Sequence, residues 1–248
     1  MTPRYAVVVP ARYGSTRLPA KALLRATGKY LVEHVVERAR RAPGVSRVVV
    51  ATDDDRIEAA VLSFGGEVAR TDPDHPSGTA RCAEVAARLS EPVVVNVQGD
   101  EPCFSPGDLA RLAEAAARPG CDLATLCHPV ASPEEAARPS LVKVVRRADG
   151  TALYFSRAPV PFDRERGCAA AGALGHVGIY AFRRERLLDY VRLPQGRLAP
   201  VESLEQLRAL EAGWTIDVLP ASRAAFGVDT PEDYERFVAL VAQGRLDL

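Results

Sequence analysis

Residues 5–21 read YAVVVPARYGSTRLPAK, and this stretch decides the fold. The run Tyr5–Pro10 is apolar at nearly every position, the pattern of a strand buried on both faces rather than of one with a wet side. Strands of that kind belong to parallel sheets covered by helices on both sides. Helical periodicity follows over Gly28–Ala42, where Leu31, Val32, Val35, Val36 and Ala39 fall on one face. A second apolar strand, Val45–Thr52, comes next, then a helix over Asp55–Phe64. The alternation continues through a short strand at Gly66–Arg70, a helix at Thr79–Leu89, the strand Pro92–Val97 (PVVVNV) and a helix at Pro106–Ala117. Strands separated by amphipathic helices predict an α/β fold with a doubly wound, mostly parallel sheet.

The second half is less regular. Asp122–Val130, Leu141–Arg147, Ala152–Ser156 and His176–Phe182 read as strands, the middle two joined by a turn at Ala148-Asp149-Gly150. Gly167–Gly175 reads as a mobile loop of small residues, with helices expected over Ser203–Gly213 and Pro231–Gln243. No linker, repeat or low-complexity block divides the chain. The sequence therefore predicts a single domain over residues 1–248 with an inserted antiparallel portion.

Bulk properties narrow the classes. A chain of 248 residues with 47% hydrophobic content can bury a sizeable core. Lys+Arg and Asp+Glu both total 32, and no basic run stands out, which argues against a nucleic-acid or membrane-surface role. No apolar segment is long enough to span a bilayer, and the N-terminus lacks the features of a signal peptide. The five cysteines are widely spaced with no C-x-x-C pair, the pattern of free thiols in a reducing cytosol. A cytoplasmic location is expected. Lys21, Lys29 and Lys143 are the only lysines, so a lysine inside a motif carries information.

Ligands of open α/β sheets sit beyond the carboxyl ends of the strands, and three loops there carry chemistry. The first, Pro10 to Lys21, offers Arg12, Arg17, Lys21, two hydroxyls and flexible backbone, which suits a triphosphate or, more plainly, a solvated basic loop. It is neither G-x-G-x-x-G nor G-x-x-x-x-G-K-[ST], so dinucleotide-binding and P-loop readings lose their support. The second is Asn96-Val97-Gln98-Gly99-Asp100-Glu101-Pro102, whose Asp100 is placed either to hold Mg²⁺ or to cap the next helix. In the third, Gly227 to Asp233, Thr230 and Asp233 form a capping box with Pro231 at the first helical position, leaving Asp229 to serve as a second metal ligand. Ser77 and Thr79, in His75-Pro76-Ser77-Gly78-Thr79, can cap the following helix or read a base edge. His34 and His128 read as structural, Trp214 as a core residue beginning a strand, and Cys82 and Cys103 receive no catalytic role.

Taken in order, V-V-P-A-R-Y-G-S-T-R-L-P, A-T-D, H-P-S-G-T, V-N-V-Q-G-D-E-P, L-Y-F-S-R, H-V-G-I-Y, L-E-Q-L-R and G-V-D-T-P-E-D resemble the 3-deoxy-manno-octulosonate (Kdo) cytidylyltransferases from residue 5 to about 240. The resemblance implies a nucleotide-diphospho-sugar transferase-like fold and Mg²⁺-dependent attack of an acceptor oxygen on the α-phosphorus of CTP, with loss of pyrophosphate. By position it assigns Arg12, Arg17 and Lys21 to the phosphates and Asp100 and Asp229 to magnesium. Pro10, Ala11, Ser77, Gly78, Thr79 and Gln98 would surround the nucleotide, and Arg157, His176, Tyr180, Glu205 and Gln206 the acceptor. It further implies a CTP-binding half at 1–130, an acceptor-binding and dimerisation half at 131–248 to which Asp229 is the exception, and a homodimer.

The chain departs from the family pattern at Ala20, where glycine is usual, at Ala80, where an acid is usual, at Gly175, where a cation is usual, and around Ala199, where a glutamate is usual. Gly175, a stretch before His176 that is shorter than usual, and Ala199 lie on the acceptor side, which opens an alternative acceptor, a small phosphonate such as phosphonoformate. The alternative of another class is a non-catalytic nucleotide-binding regulator.

Overall fold

The strand that opens the chain lies in the middle of the molecule, with Tyr5 to Val9 fully buried. The structure is a computed structural model and describes residues 3–14, 18–169, 171–223 and 225–246. Arg17, Ser15 and Thr16 fall outside the described residues. In order, β1 (Tyr5–Pro10) leads through a 3-10 turn (Lys21–Leu23) to α1 (Leu31–Arg40), β2 (Val45–Thr52), α2 (Asp55–Ser63) and β3 (Glu67–Arg70). Then come α3 (Gly78–Ala86), β4 (Val93–Val97), α4 (Pro106–Ala116), β5 (Leu123–Pro129), a short α5 (Pro133–Ala136), β6 (Lys143–Arg146) and β7 (Ala152–Ser156). The chain finishes with β8 (Phe162–Asp163), β9 (Cys168–Ala169), β10 (Leu174–Arg183), α6 (Arg184–Tyr190), α7 (Leu198–Glu202), α8 (Leu207–Glu211), β11 (Ile216–Pro220) and α9 (Pro231–Ala242).

The main sheet runs β11-β5-β10-β4-β1-β2-β3. Its pairs are parallel except those of β10, which is antiparallel to both β4 and β5. The hairpin β6–β7 joins through the start of β10. Side chains of β1 alternate between two cores because successive Cβ atoms point to opposite faces. Tyr5, Val7 and Val9 pack with Val32, Val35 and Val36 of α1 and with Leu109 and Leu112 of α4. Ala6 and Val8 pack on the other face with Cys82 and Val85 of α3 and Leu187 of α6. No helix among the described residues is long and apolar enough to cross a membrane.

Three expectations for the second half need correction. The helix expected over Ser203–Gly213 is the shorter α8 (Leu207–Glu211) alone, and α7 stops just before that span because Ser203 adopts left-handed backbone angles (φ 51, ψ 48) through which no right-handed helix continues. The loop expected over Gly167–Gly175 contains β9, which pairs with β8 upstream of it, and the first two residues of β10. Trp214, expected to begin a strand, sits in the turn before β11 and is part of the core. The C-terminal capping box forms as expected: Thr230 Oγ1 accepts from Asp233 N at 3.2 Å, and Asp233 Oδ2 accepts from Thr230 N at 3.0 Å. His34 is structural, edge-on to Phe237 with Nε2 2.8 Å from Thr27 Oγ1.

Candidate active site

The loops after β1 and β4 touch. Gly99 N donates to Pro10 O at 3.2 Å, and a Cβ at Gly99 would stand 3.0 Å from that oxygen, so a side chain here would force the loops apart. This turn delivers Asp100, and Asp100 O accepts from Val228 N at 2.7 Å, drawing the C-terminal segment across. Gly227 allows the approach, since a Cβ there would lie 2.9 Å from Glu101 Oε1. Asp229 follows two residues later. Lys21, on the 3-10 turn, hydrogen-bonds Asp100 and donates to Asp229 Oδ1 at 3.0 Å. Three charged groups from three distant segments thus meet at one point.

Electrostatics there favour a cation. Burial acts to lower the Lys21 pKa, but Asp100 and Asp229 outweigh it and hold the ammonium above the usual lysine value. Glu101 is pushed up to about 8 by burial first, then by Asp100 and Asp229. Its Oε2 is buried and has no protein hydrogen-bond partner. No third His, Cys, Asp or Glu joins Asp100 and Asp229 to complete an all-protein metal cage among the described residues. Two hard carboxylates converging on one ammonium nonetheless suit a divalent cation that takes its remaining ligands from water and phosphate, as Mg²⁺ does.

These groups line a cleft of about 830 Å³. Pro10, Ala11, Arg12, Ser77, Gly78 and Gln98 line it too. Ser77 is the N-cap of α3, its Oγ accepting from Ala80 N at 3.2 Å. Thr79, expected to line the nucleotide, lies one layer behind the wall: it is 1% exposed and its hydroxyl is engaged by Asn96 and Glu205.

The same cleft is lined by Arg157, His176, Tyr180, Glu205 and Gln206. Arg157 donates to the carbonyls of Glu202 (2.7 Å), Pro139 (2.8 Å) and Ser203 (3.3 Å), which fixes the plane of the guanidinium. Gln206 is 2% exposed and its Nε2 has no protein partner, a donor positioned for a ligand oxygen. Between Val177 and Tyr180 the register of β10 against β5 shifts, and Thr125 Oγ1 reaches the loosened carbonyls of Val177 (3.1 Å) and Ile179 (2.8 Å). Such a bulge re-aims side chains, here the flanking His176 and Tyr180.

The same hydroxyl fixes the His176 tautomer. Thr125 has one proton and gives it to a carbonyl, so towards His176 Nε2, at 2.9 Å, it accepts. His176 therefore carries its proton on Nε2 and keeps a lone pair on Nδ1. Burial, then His128, pushes its pKa down to about 3, so the ring is neutral. His176 thus presents a neutral ring, not a cation, to the cleft. Tyr180 is pushed up, chiefly by burial, and stays a phenol.

Sequence reasoning missed four residues. Glu101 was passed over beside the more conspicuous Asp100. His128, read as structural, lines the cleft, and its Nε2 occupies the space beside Gly175, 2.7 Å from where a Cβ would be. Lys143 is fully buried and donates to the carbonyls of Arg138 (3.1 Å), Leu141 (2.7 Å) and Arg157 (2.6 Å), stapling the acceptor-side loop. Asn96 is fully buried, and a polar residue inside PVVVNV was the available signal.

The family model described as Cytidylyltransferase matches residues 6–216. The 3-deoxy-manno-octulosonate cytidylyltransferase of Escherichia coli is 47% identical over 238 residues, 96% of each chain. That of Anaeromyxobacter dehalogenans (strain 2CP-C) is 51% identical over 241 residues, 96% of this chain and 98% of its own. A solved structure of a CMP:2-keto-3-deoxy-manno-octonic acid synthetase complexed with CTP matches with a TM-score of 0.91 at 46% identity, over 97% of this chain and 99% of that one.

Proposed function

The chain belongs to the cytidylyltransferase family, and from that membership we propose that it transfers CMP from CTP to Kdo, forming CMP-Kdo and releasing pyrophosphate. The observation that carries this reading is the meeting of Lys21, Asp100 and Asp229 in the wall of the cleft. Nucleotidyl transfer depends mainly on positioning and on neutralising phosphate charge. Lys21 and Arg12 supply fixed positive charge, with Arg17 expected beside them. Asp100 and Asp229 would hold Mg²⁺, which when bound neutralises the triphosphate and polarises the reacting phosphoryl group. The acceptor hydroxyl forms the new O–P bond to the α-phosphorus as the bond to the pyrophosphate oxygen breaks, and the hydroxyl loses its proton.

The acceptor side supports a polyol acid. Neutral His176 offers a lone pair and Glu205 a carboxylate, both suited to hydroxyl donors, while Arg157 and Gln206 supply donors for a carboxylate. A compact phosphonate dianion would meet the His176 lone pair unfavourably. Pyrophosphate release from CTP should be brisk with Kdo and negligible with phosphonoformate, and should stop on chelation and return with Mg²⁺. Turnover of the phosphonate without Kdo turnover would overturn the acceptor; tight CTP binding with no turnover of any acid would favour a non-catalytic regulator.

We also propose a homodimer formed by residues 131–248. Of the five exposed large hydrophobic residues among those described, four, Leu153, Phe162, Leu198 and Val201, lie in that half and one, Leu62, lies outside it. Glu202, at the end of α7, binds Ser156 Oγ (2.6 Å) and Arg157 N (2.9 Å) at the end of β7, so the elements carrying Leu153, Leu198 and Val201 adjoin.

A further inference from the structure

A hydrogen-bonded chain runs from Glu205 through Thr79 and Asn96 to Gln98, and its donors and acceptors fit in only one direction. Glu205, as a carboxylate, accepts; the Thr79 hydroxyl must therefore give it its single proton. Towards Asn96, Thr79 can then only accept, so the Asn96 group facing it is the Nδ2 amide, at 3.1 Å. That leaves Asn96 Oδ1 facing Gln98, and Gln98 must answer with Nε2, at 3.0 Å. The order follows from proton count alone, starting at Glu205. Thr79 (1% exposed) and Asn96 (0%) are sealed from water, so no solvent molecule can reverse a link.

Gln98 is the end of the chain and lines the cleft. With Nε2 committed to Asn96, its carbonyl Oε1 is left for a ligand. Gly78 permits this placement: a Cβ there would fall 2.9 Å from Gln98 Oε1. We propose that Thr79 and Asn96 are positioning residues that hold the Gln98 amide with its carbonyl towards the cleft, so that the substrate group seated there is a hydrogen-bond donor. The identity of that donor rests on the function proposed above: it is the 4-amino group of cytosine, a ribose hydroxyl, or a hydroxyl of the acceptor acid. Without the Thr79 hydroxyl, the Asn96 amide loses its acceptor and turns over. Gln98 turns with it and presents N–H to a donor.

The test compares Thr79→Val with Thr79→Ser. In Thr79→Val the KM of one substrate should rise about tenfold, the loss expected when a bound donor faces another donor, with kcat little changed; Thr79→Ser should restore it. A raised KM for CTP with a weakened preference over UTP assigns the donor to the base. A parallel rise for CTP and UTP assigns it to the ribose, and a raised KM for Kdo assigns it to the acid. Unchanged KM values in folded Thr79→Val, or equal impairment in Thr79→Ser, would overturn the proposal. In a Gln98→Ala background Thr79→Val should have no further effect, and additive losses would also overturn it. A substrate-free measurement separates the relay from the assigned reaction: hydrogen exchange of the Asn96 and Gln98 side-chain amides by NMR. Both pairs of protons should be protected in the wild-type enzyme and in Thr79→Ser, and those of Gln98 exposed in Thr79→Val. Unprotected amides in the wild type would end the proposal whether or not Kdo is turned over, and even if Thr79→Val failed to fold.

Discussion

At the scale of single residues, His176 gives a pH signature with a definite sign. Its folded pKa of about 3 lies below the ordinary histidine value, so between the two the unfolded chain binds a proton that the folded chain refuses. Stability from this residue is complete above about pH 6.5 and drains away as the pH falls towards 3, by at most about 1.4 kcal/mol per pH unit. Urea unfolding across that range should show a shallower acid limb for His176→Gln than for the wild type; parallel limbs would mean that the ring titrates normally. Asp100→Asn and Asp229→Asn make a second residue-level case. A metal at a phosphoryl oxygen is worth several kcal/mol, so kcat should fall by about 10²-fold or more with the thermal midpoint nearly unchanged. Near-normal kcat at saturating Mg²⁺ in either variant would remove that aspartate from the metal site. These acids were visible in the sequence because each follows a glycine-containing turn. Glu101, Asn96 and the neutrality of His176 were not, since burial and proton direction arise only once distant segments pack.

At the scale of elements, the turn that presents Lys21 is strained. Ala20 sits in the left-handed region (φ 54, ψ 27), which costs an L-residue about 1–2 kcal/mol, whereas glycine there would add about 0.5–1 kcal/mol of unfolded-state entropy. Ala20→Gly should therefore stabilise the protein slightly in denaturant unfolding, and a clear loss of stability would show that the strain is absorbed elsewhere. The cap of α9 does two tasks, because Asp233 Oδ2 also accepts from Asp229 N at 3.1 Å. Asp233→Ala should cost about 1 kcal/mol, as lost caps do, and also lower activity by loosening Asp229; stability loss with unchanged kinetics would limit Asp233 to capping. The strands β1, β2 and β4 were legible because nothing but a two-sided sheet buries such uniform apolar runs. The split between α7 and α8 was not, because it turns on the backbone angles of one serine. Nor was the direction of β10, since alternation gives a strand's faces but not its polarity.

At the scale of the whole molecule, light scattering at micromolar concentration should give a mass near twice the 26.6 kDa of the chain; a monomer mass would refute the dimer. The sheet order could be drawn only in part from sequence, because β10 returns from the second half to sit between β4 and β5. The meeting of Lys21 with Asp229 spans 208 positions. Two further hydrogen bonds, from Ala26 N to Tyr234 OH and from Arg38 to Leu246 O, span the same interval. Phe237 and Val228 pack in a small cluster of their own with Leu31 and Cys103, apart from the two large cores. The last segment is therefore a late-fitted part of the machine. With Asp229 as the proposed second metal-binding acid, the sheet, whose last strand ends at Pro220, can assemble on the ribosome before that acid is made. A protease nick before Asp229 would then act as an off-switch, parting one carboxylate from the site while sparing both main cores.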